Sequence, residues 1–150
     1  MNAPDTVEIL LVEDNPQDLE LAQRALRRAN LAGHLHVARD GAEALDFIFC
    51  QGPHAARRVT DVPKVILLDL KLPKIDGFEV LKSIRSDPRT KLIPVVVLTS
   101  SKEQGDVVAC YQLGVNSYVV KPVNFERFSD TVRDLGRFWL LLNQPSLVAG

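Results

Sequence analysis

The chain alternates between two kinds of apolar pattern. Short unbroken runs occur at Ile9-Leu10-Leu11-Val12, Val65-Ile66-Leu67-Leu68, Val95-Val96-Val97-Leu98 and Tyr118-Val119-Val120. Together with a weaker segment around 34–38 they predict five strands, near 7–12, 34–38, 65–69, 94–98 and 117–120. Strands without polar alternation are covered on both faces, which is the condition of a parallel sheet. The intervening segments carry helical spacing instead, as in Leu19, Ala22, Leu26 and Ala29. Asn15-Pro16 supplies an N-cap and a first-turn proline for that helix. Asp40-Gly-Ala-Glu43 and Asp76-Gly-Phe-Glu79 read as capping boxes opening the second and third helices. Asp87-Pro88 ends the third, Ser101-Lys-Glu-Gln104 opens a fourth, and Gly114 closes it. Strand and helix alternate five times, so the expected fold class is α/β, a doubly wound five-stranded parallel sheet.

The last helix begins at the cap Asn124. Its apolar positions Phe125, Phe128, Val132, Leu135, Trp139 and Leu142 form a heptad-like stripe. Gly136 interrupts it as a weak point, costing about 1 kcal/mol against Ala. A helix of roughly 20 residues spans about 30 Å, longer than a short strand. Phe138, Trp139, Leu141 and Leu142 are therefore expected to emerge at an edge as an interface. Residues 51–64, with Gly52, Pro53 and Pro63, read as an extended loop. The domain reading is a tail at 1–6, one folded domain over 7–142 and a tail at 143–150.

Each main apolar run delivers a polar residue at the same end. Glu13-Asp14 follow the first, Asp69 the third, Thr99 the fourth and Lys121 the fifth. In an open parallel sheet, ligands bind at the carboxyl ends of the strands. Glu13, Asp14 and Asp69 offer hard oxygen ligands suited to Mg²⁺. An aspartate can also act as a nucleophile and form an aspartyl-phosphate. Lys121 would offset the repulsion among the acids and the charge of a phosphoryl group, and Thr99 could donate to a phosphoryl oxygen.

Composition narrows the classes further. With 18 basic and 19 acidic residues the net charge is −1, so no long-range field favours nucleic acid or an anionic membrane. Arg57-Arg58 reads as a solvated pair in a loop. Cys50 and Cys110 are far apart and read as small buried apolar residues, with no disulfide framework. The absence of a leader-like start and of any run near the roughly 20 apolar residues of a membrane span gives the expectation of a cytoplasmic protein. His34 and His36 share one face of a strand and read as surface histidines, and His54 as an uninformative loop residue. No G-x-x-x-x-G-K-[ST] or G-x-G-x-x-G occurs, which argues against nucleotide binding.

Taken in order, Glu13-Asp14, Asp69 with Leu70-Lys71-Leu72-Pro73 and Asp76-Gly77, Thr99-Ser100, and Tyr118-Val-Val-Lys121-Pro122 resemble the receiver domain of two-component response regulators. The resemblance covers about residues 7 to 142. It implies the flavodoxin-like strand order 2-1-3-4-5 and a phosphoryl group accepted from a histidine kinase onto Asp69. It implies Mg²⁺ held by Asp14, Asp69 and the main-chain carbonyl of Lys71, with Glu13 acting through water. Thr99 and Lys121 would hold the phosphoryl oxygens, and Tyr118 would be the switch aromatic that follows Thr99. Lys121-Pro122 would be a cis peptide. The long 51–64 loop and the aromatic last helix further resemble the stand-alone response regulators paired with phytochromes. That narrower likeness implies a phytochrome-type kinase partner and a homodimer.

Two rival readings stand beside this one. A haloacid dehalogenase-type phosphatase places a second Asp two residues after its nucleophile, where this chain has Lys71. A phosphorylation-independent interaction module would lack part of the acid cluster or the lysine, and this chain lacks none of them. A DNA-binding output domain is not expected, since none fits after residue 143. The expectation is a phosphoacceptor rather than an enzyme, catalysing only its own phosphorylation and slow hydrolysis.

Overall fold

The computed structural model describes residues 7–146, and the parts of the expected tails at 1–6 and 147–150 lie outside it. Five strands form one parallel sheet: β1 (Ile9–Val12), β2 (Leu35–Ala38), β3 (Val65–Leu68), β4 (Val95–Thr99) and β5 (Ser117–Val120). Their order is β2-β1-β3-β4-β5, as the receiver resemblance implies. The helices are α1 (Pro16–Arg28), α2 (Gly41–Ile48), α3 (Gly77–Ser86), α4 (Gln104–Gln112) and α5 (Phe125–Arg137). No helix among the described residues is long and apolar enough to cross a membrane.

The period-2 alternation of a strand divides the apolar runs between two cores. Leu10, Val12, Ile66, Leu68, Val95 and Val97 pack on one face with Phe47, Val80, Leu81, Ile84 and Cys110. Ile9, Leu11, Val65, Leu67, Val96 and Leu98 pack on the other with Leu19, Leu26, Phe128 and Val132. Thus α2, α3 and α4 cover one face, and α1 and α5 the other. The expected caps form: Asn15, Asp40, Asp76 and Asn124 each accept a backbone N–H three residues on.

Several expectations need correction. The Ser101 box does not open α4, which starts at Gln104 after a cap, Glu103, that makes no side-chain hydrogen bond. Phe125 is 61% exposed rather than part of the packing stripe. The last helix does not continue as α to 142. Phe138–Leu142 widen into a π-turn closed by Asn143 N–H to the Phe138 carbonyl. Trp139, expected at the edge, instead follows Leu135 onto the α1/α5 core beside Leu140, and the extra residue in the turn takes Leu142 off the stripe and leaves it 75% exposed. Gly136 is not merely a weak point. A Cβ there would meet Leu26 Cδ2 at 2.8 Å and Leu31 Cδ1 at 3.0 Å, so α5 seats closely on the end of α1 because position 136 carries no side chain. The Lys121–Pro122 peptide is trans, as are all others described. Trans is the lower-energy isomer of an X-Pro bond by about 0.5–1 kcal/mol.

The loop before β3 folds over β2 and makes a cluster that overturns four further readings. A short 3₁₀ turn at Gly52–His54 brings His54 edge-on to His36 and to Phe47, each at 5.1 Å between ring centres. His36 stacks on Phe47 at 4.1 Å. Arg57 is not solvated, unlike Arg58: its guanidinium lies 3.7 Å from the Phe47 ring centre and donates to the carbonyls of Phe47 and Asp61. Cys50 is half-buried beside Arg57, so only Cys110 is the buried apolar cysteine expected.

His36 Nε2 is buried without a hydrogen-bond partner. Burial, then the neighbouring His54 and Arg57, hold its imidazole below the ordinary value of 6.5 against the opposing pull of Glu43. The folded state therefore favours neutral His36. Stability is intact above the unfolded value and is lost as pH falls below it toward the folded one. Urea midpoints measured at about pH 7.5 and about pH 5.5 should show a larger acid loss in wild type than in His36→Phe. Equal losses would mean that His36 does not carry the effect.

Candidate functional site

The strand register puts the predicted polar residues together. Val12 pairs with Leu68, so Glu13-Asp14 and Asp69 leave neighbouring strands side by side, and the Asp69 N–H donates to the Val12 carbonyl at 3.1 Å. One oxygen from each of Glu13, Asp14 and Asp69 lies within 4.8 Å of the others. Glu13 and Asp69 are buried and Asp14 is exposed. On β4 and β5, Thr99 pairs with Val120, and the Lys121 N–H donates to the Thr99 carbonyl at 2.7 Å, which aims the lysine back across the sheet.

Lys121 Nζ reaches Glu13 Oε1 at 2.7 Å, Asp18 Oδ2 at 2.8 Å and Asp69 Oδ2 at 2.9 Å. The other Asp69 oxygen, Oδ1, accepts from the Leu70 N–H at 2.7 Å and the Lys71 N–H at 3.5 Å. Asp69 is thus oriented from the backbone on one side and by a cation on the other. Burial is the largest influence on Glu13 and pushes its carboxyl up to about 7, the Asp69 charge adding to this and Lys121 opposing it. Burial would lower Lys121, but hydrogen bonds to Asp18 and Glu13 and the charges of Asp69 and Glu13 raise it well above the ordinary range. The three acids make a donor set of hard oxygens that fits a divalent cation.

Thr99 is fully buried at the end of β4, where its Oγ1 accepts from the Ser101 N–H at 3.5 Å. Ser101 Oγ donates to Asp106 on α4 at 2.6 Å, and the Tyr118 hydroxyl donates to the Ser101 carbonyl at 3.0 Å. Thr99 and Tyr118 therefore meet the same loop, one at each side of Ser101. Burial raises the Tyr118 hydroxyl above its usual value, the hydrogen bond to Ser101 opposing it. Lys71 is exposed at the rim. Since α5 runs antiparallel to the strands, Phe138, Trp139, Leu141 and Leu142 belong to the other end of the sheet and form no part of this cluster.

Sequence reading missed Asp18, Ser101 and Asp106. Asp18 and Asp106 sit in the first turns of α1 and α4, where an acid is already accounted for by the helix dipole.

Residues 9–133 match the model of the response regulator receiver domain. The chain belongs to that family. The receiver is 43% identical over 132 residues to "Response regulator Rcp1" of Synechocystis sp. (strain ATCC 27184 / PCC 6803 / Kazusa), covering 88% of each chain. A crystal structure of the Mn(2+)-bound form of Rcp1 superposes with a TM-score of 0.85 at 41% identity, over 93% of this chain and 98% of that one. The structure of the phosphorylated cyanobacterial phytochrome response regulator RcpA gives a TM-score of 0.86 at 40% identity, over 93% and 97%. The bacteriophytochrome response regulator RtBRR is 54% identical with a TM-score of 0.72, over 92% and 82%. The receiver is thus related to phytochrome response regulators, and one of its relatives, Rcp1, has a Mn(2+)-bound form.

Proposed function

We propose that the receiver accepts a phosphoryl group on Asp69 from the phosphohistidine of a sensor histidine kinase of the phytochrome type. The observation that carries this reading is the 2.9 Å contact between Lys121 Nζ and Asp69 Oδ2 inside a cluster of three carboxylates. An Asp69 oxygen attacks phosphorus, the O–P bond forms as the P–N bond breaks, and the imidazole leaves with the electron pair. Lys121 and Thr99 meet the phosphoryl oxygens. Glu13, Asp14, Asp69 and the Lys71 carbonyl would hold Mg²⁺, which supplies positive charge for the transferring group. The names of RcpA and RtBRR support the phytochrome partner. Intact-protein mass after incubation with acetyl phosphate and Mg²⁺ tests the acceptor. One added phosphoryl group supports it, and none on a folded wild type favours a phosphate-independent interaction module.

The signal leaves through a homodimer built on the end of the last helix. Phe138, Leu141 and Leu142 are 45%, 67% and 75% exposed on a short π-turn, an apolar surface with no cover in one copy. Trp139 meets Phe138 edge-on, at 5.0 Å between ring centres. By sedimentation, wild type should run as a dimer and the double variant Leu141→Glu/Leu142→Glu as a folded monomer. A monomeric wild type in both phosphorylation states rejects the interface.

A further inference from the structure

Lys121 has three N–H donors, and each meets a different carboxylate. Glu13 and Asp69 come from strand ends and are 4% and 9% exposed in their side chains. The third, Asp18, comes from the first turn of α1 and is 26% exposed. Its backbone is fixed by the cap, since the Asp18 N–H donates to Asn15 Oδ1 at 3.0 Å. The lysine is thereby tied to the opposite wall of the pocket from its own strand. A lysine ammonium rides on a flexible four-carbon stem, so its direction depends on what its donors meet.

We propose that Asp18 is a positioning residue for phosphoryl transfer: with Glu13 it holds two donors of the Lys121 ammonium, leaving the third aimed at Asp69. The inference rests on the reading of Asp69 as acceptor. When the phosphoryl group arrives, the donor now on Asp69 Oδ2 passes to a phosphoryl oxygen without the ammonium leaving Asp18 or Glu13. Without Asp18, the ammonium keeps only acceptors that belong to the site itself, and its position is no longer set before the phosphoryl group comes. Asp18 touches no reacting atom and acts only through Lys121.

The test compares phosphoryl uptake from acetyl phosphate and Mg²⁺, followed by intact mass, in wild type, Asp18→Ala, Asp18→Asn, Lys121→Ala and the double variant Asp18→Ala/Lys121→Ala. Each variant is first checked by a melting curve. Asp18→Ala should slow uptake about tenfold, the weight of one charge-assisted hydrogen bond at a partly exposed site. Asp18→Asn, whose amide oxygen can accept the same bond, should recover most of that loss. In the Lys121→Ala background, Asp18→Ala should have no further effect, because contributions made through one partner are not additive. Uptake by Asp18→Ala at or above the wild-type rate overturns the proposal, as does the same loss with and without Lys121. A wild type that takes up nothing rejects the acceptor reading, and this inference with it.

Discussion

Asp69→Asn should take up no phosphoryl group from acetyl phosphate, while wild type should take up one in the presence of Mg²⁺ and none once EDTA has removed the metal. The substitution is nearly isosteric, so the fold and the contacts of Asp69 Oδ1 with Leu70 and Lys71 are retained. What changes is chemistry. The amide is not a nucleophile, and its NH₂ has no lone pair to offer the Lys121 ammonium that now lies 2.9 Å from Oδ2. One negative charge is also removed from a crowded group. Two like charges about 4 Å apart repel by about 4 kcal/mol at an effective dielectric near 20. That relief compensates the lost ion pair, so Asp69→Asn should melt close to wild type. Loss of uptake is then loss of the acceptor rather than of the fold. Mass spectrometry of the two proteins side by side decides the matter. Equal labelling of both would move the acceptor elsewhere, with Asp14 the first residue to examine.

Gly41→Ala costs about 3 kcal/mol of stability, the upper end of ordinary overpacking. An added Cβ at residue 41 would lie 1.7 Å from the Ile75 carbonyl oxygen and 2.6 Å from its carbon. These are backbone atoms, so no rotamer change relieves the contact. Either α2 withdraws from the β3–α3 loop or the loop moves. That loop begins at Leu70-Lys71, directly after Asp69, so strain at residue 41 also reaches the pocket. The matched control is Gly105→Ala. It lies in the first turn of α4 with nothing within 4 Å of its Cβ, and should stabilise by about 0.4–1 kcal/mol by narrowing the conformational freedom of the unfolded chain. Denaturant midpoints of the two variants should move in opposite directions. A Gly41→Ala protein as stable as wild type would show that the loop can yield without loss.

Much of the site was legible in the chain because its members are the residues at which strand burial stops. An apolar run that ends in Glu13, Asp69, Thr99 or Lys121 places that side chain at the carboxyl edge whatever the helices do, since the parallel register aligns the ends. Asp18 was hidden because its position in the first turn of α1 satisfies the helix by itself, leaving no residual signal. His36 was hidden for a different reason. Alternation gives the face of a strand it occupies but not what covers that face, and here the cover is a loop without periodicity. Trp139 was placed at the edge by the length of the helix, although the stripe that contains it continues onto the core; Leu142 leaves that stripe because a constant rise cannot foresee a turn that takes in an extra residue.

By itself, the sequence determined the element order, the caps of every helix but α4, the two-faced parallel sheet and the meeting of acids, hydroxyl and lysine at one edge. These follow from local propensity and from the burial of apolar runs, both of which act over a few residues. Only the tertiary structure decided which donor of Lys121 meets which carboxylate, that Gly136 lets α5 seat on α1, and which aromatic residues of the last helix face the core. Those outcomes depend on contacts between segments far apart in the chain, where close packing selects among arrangements that are locally equivalent.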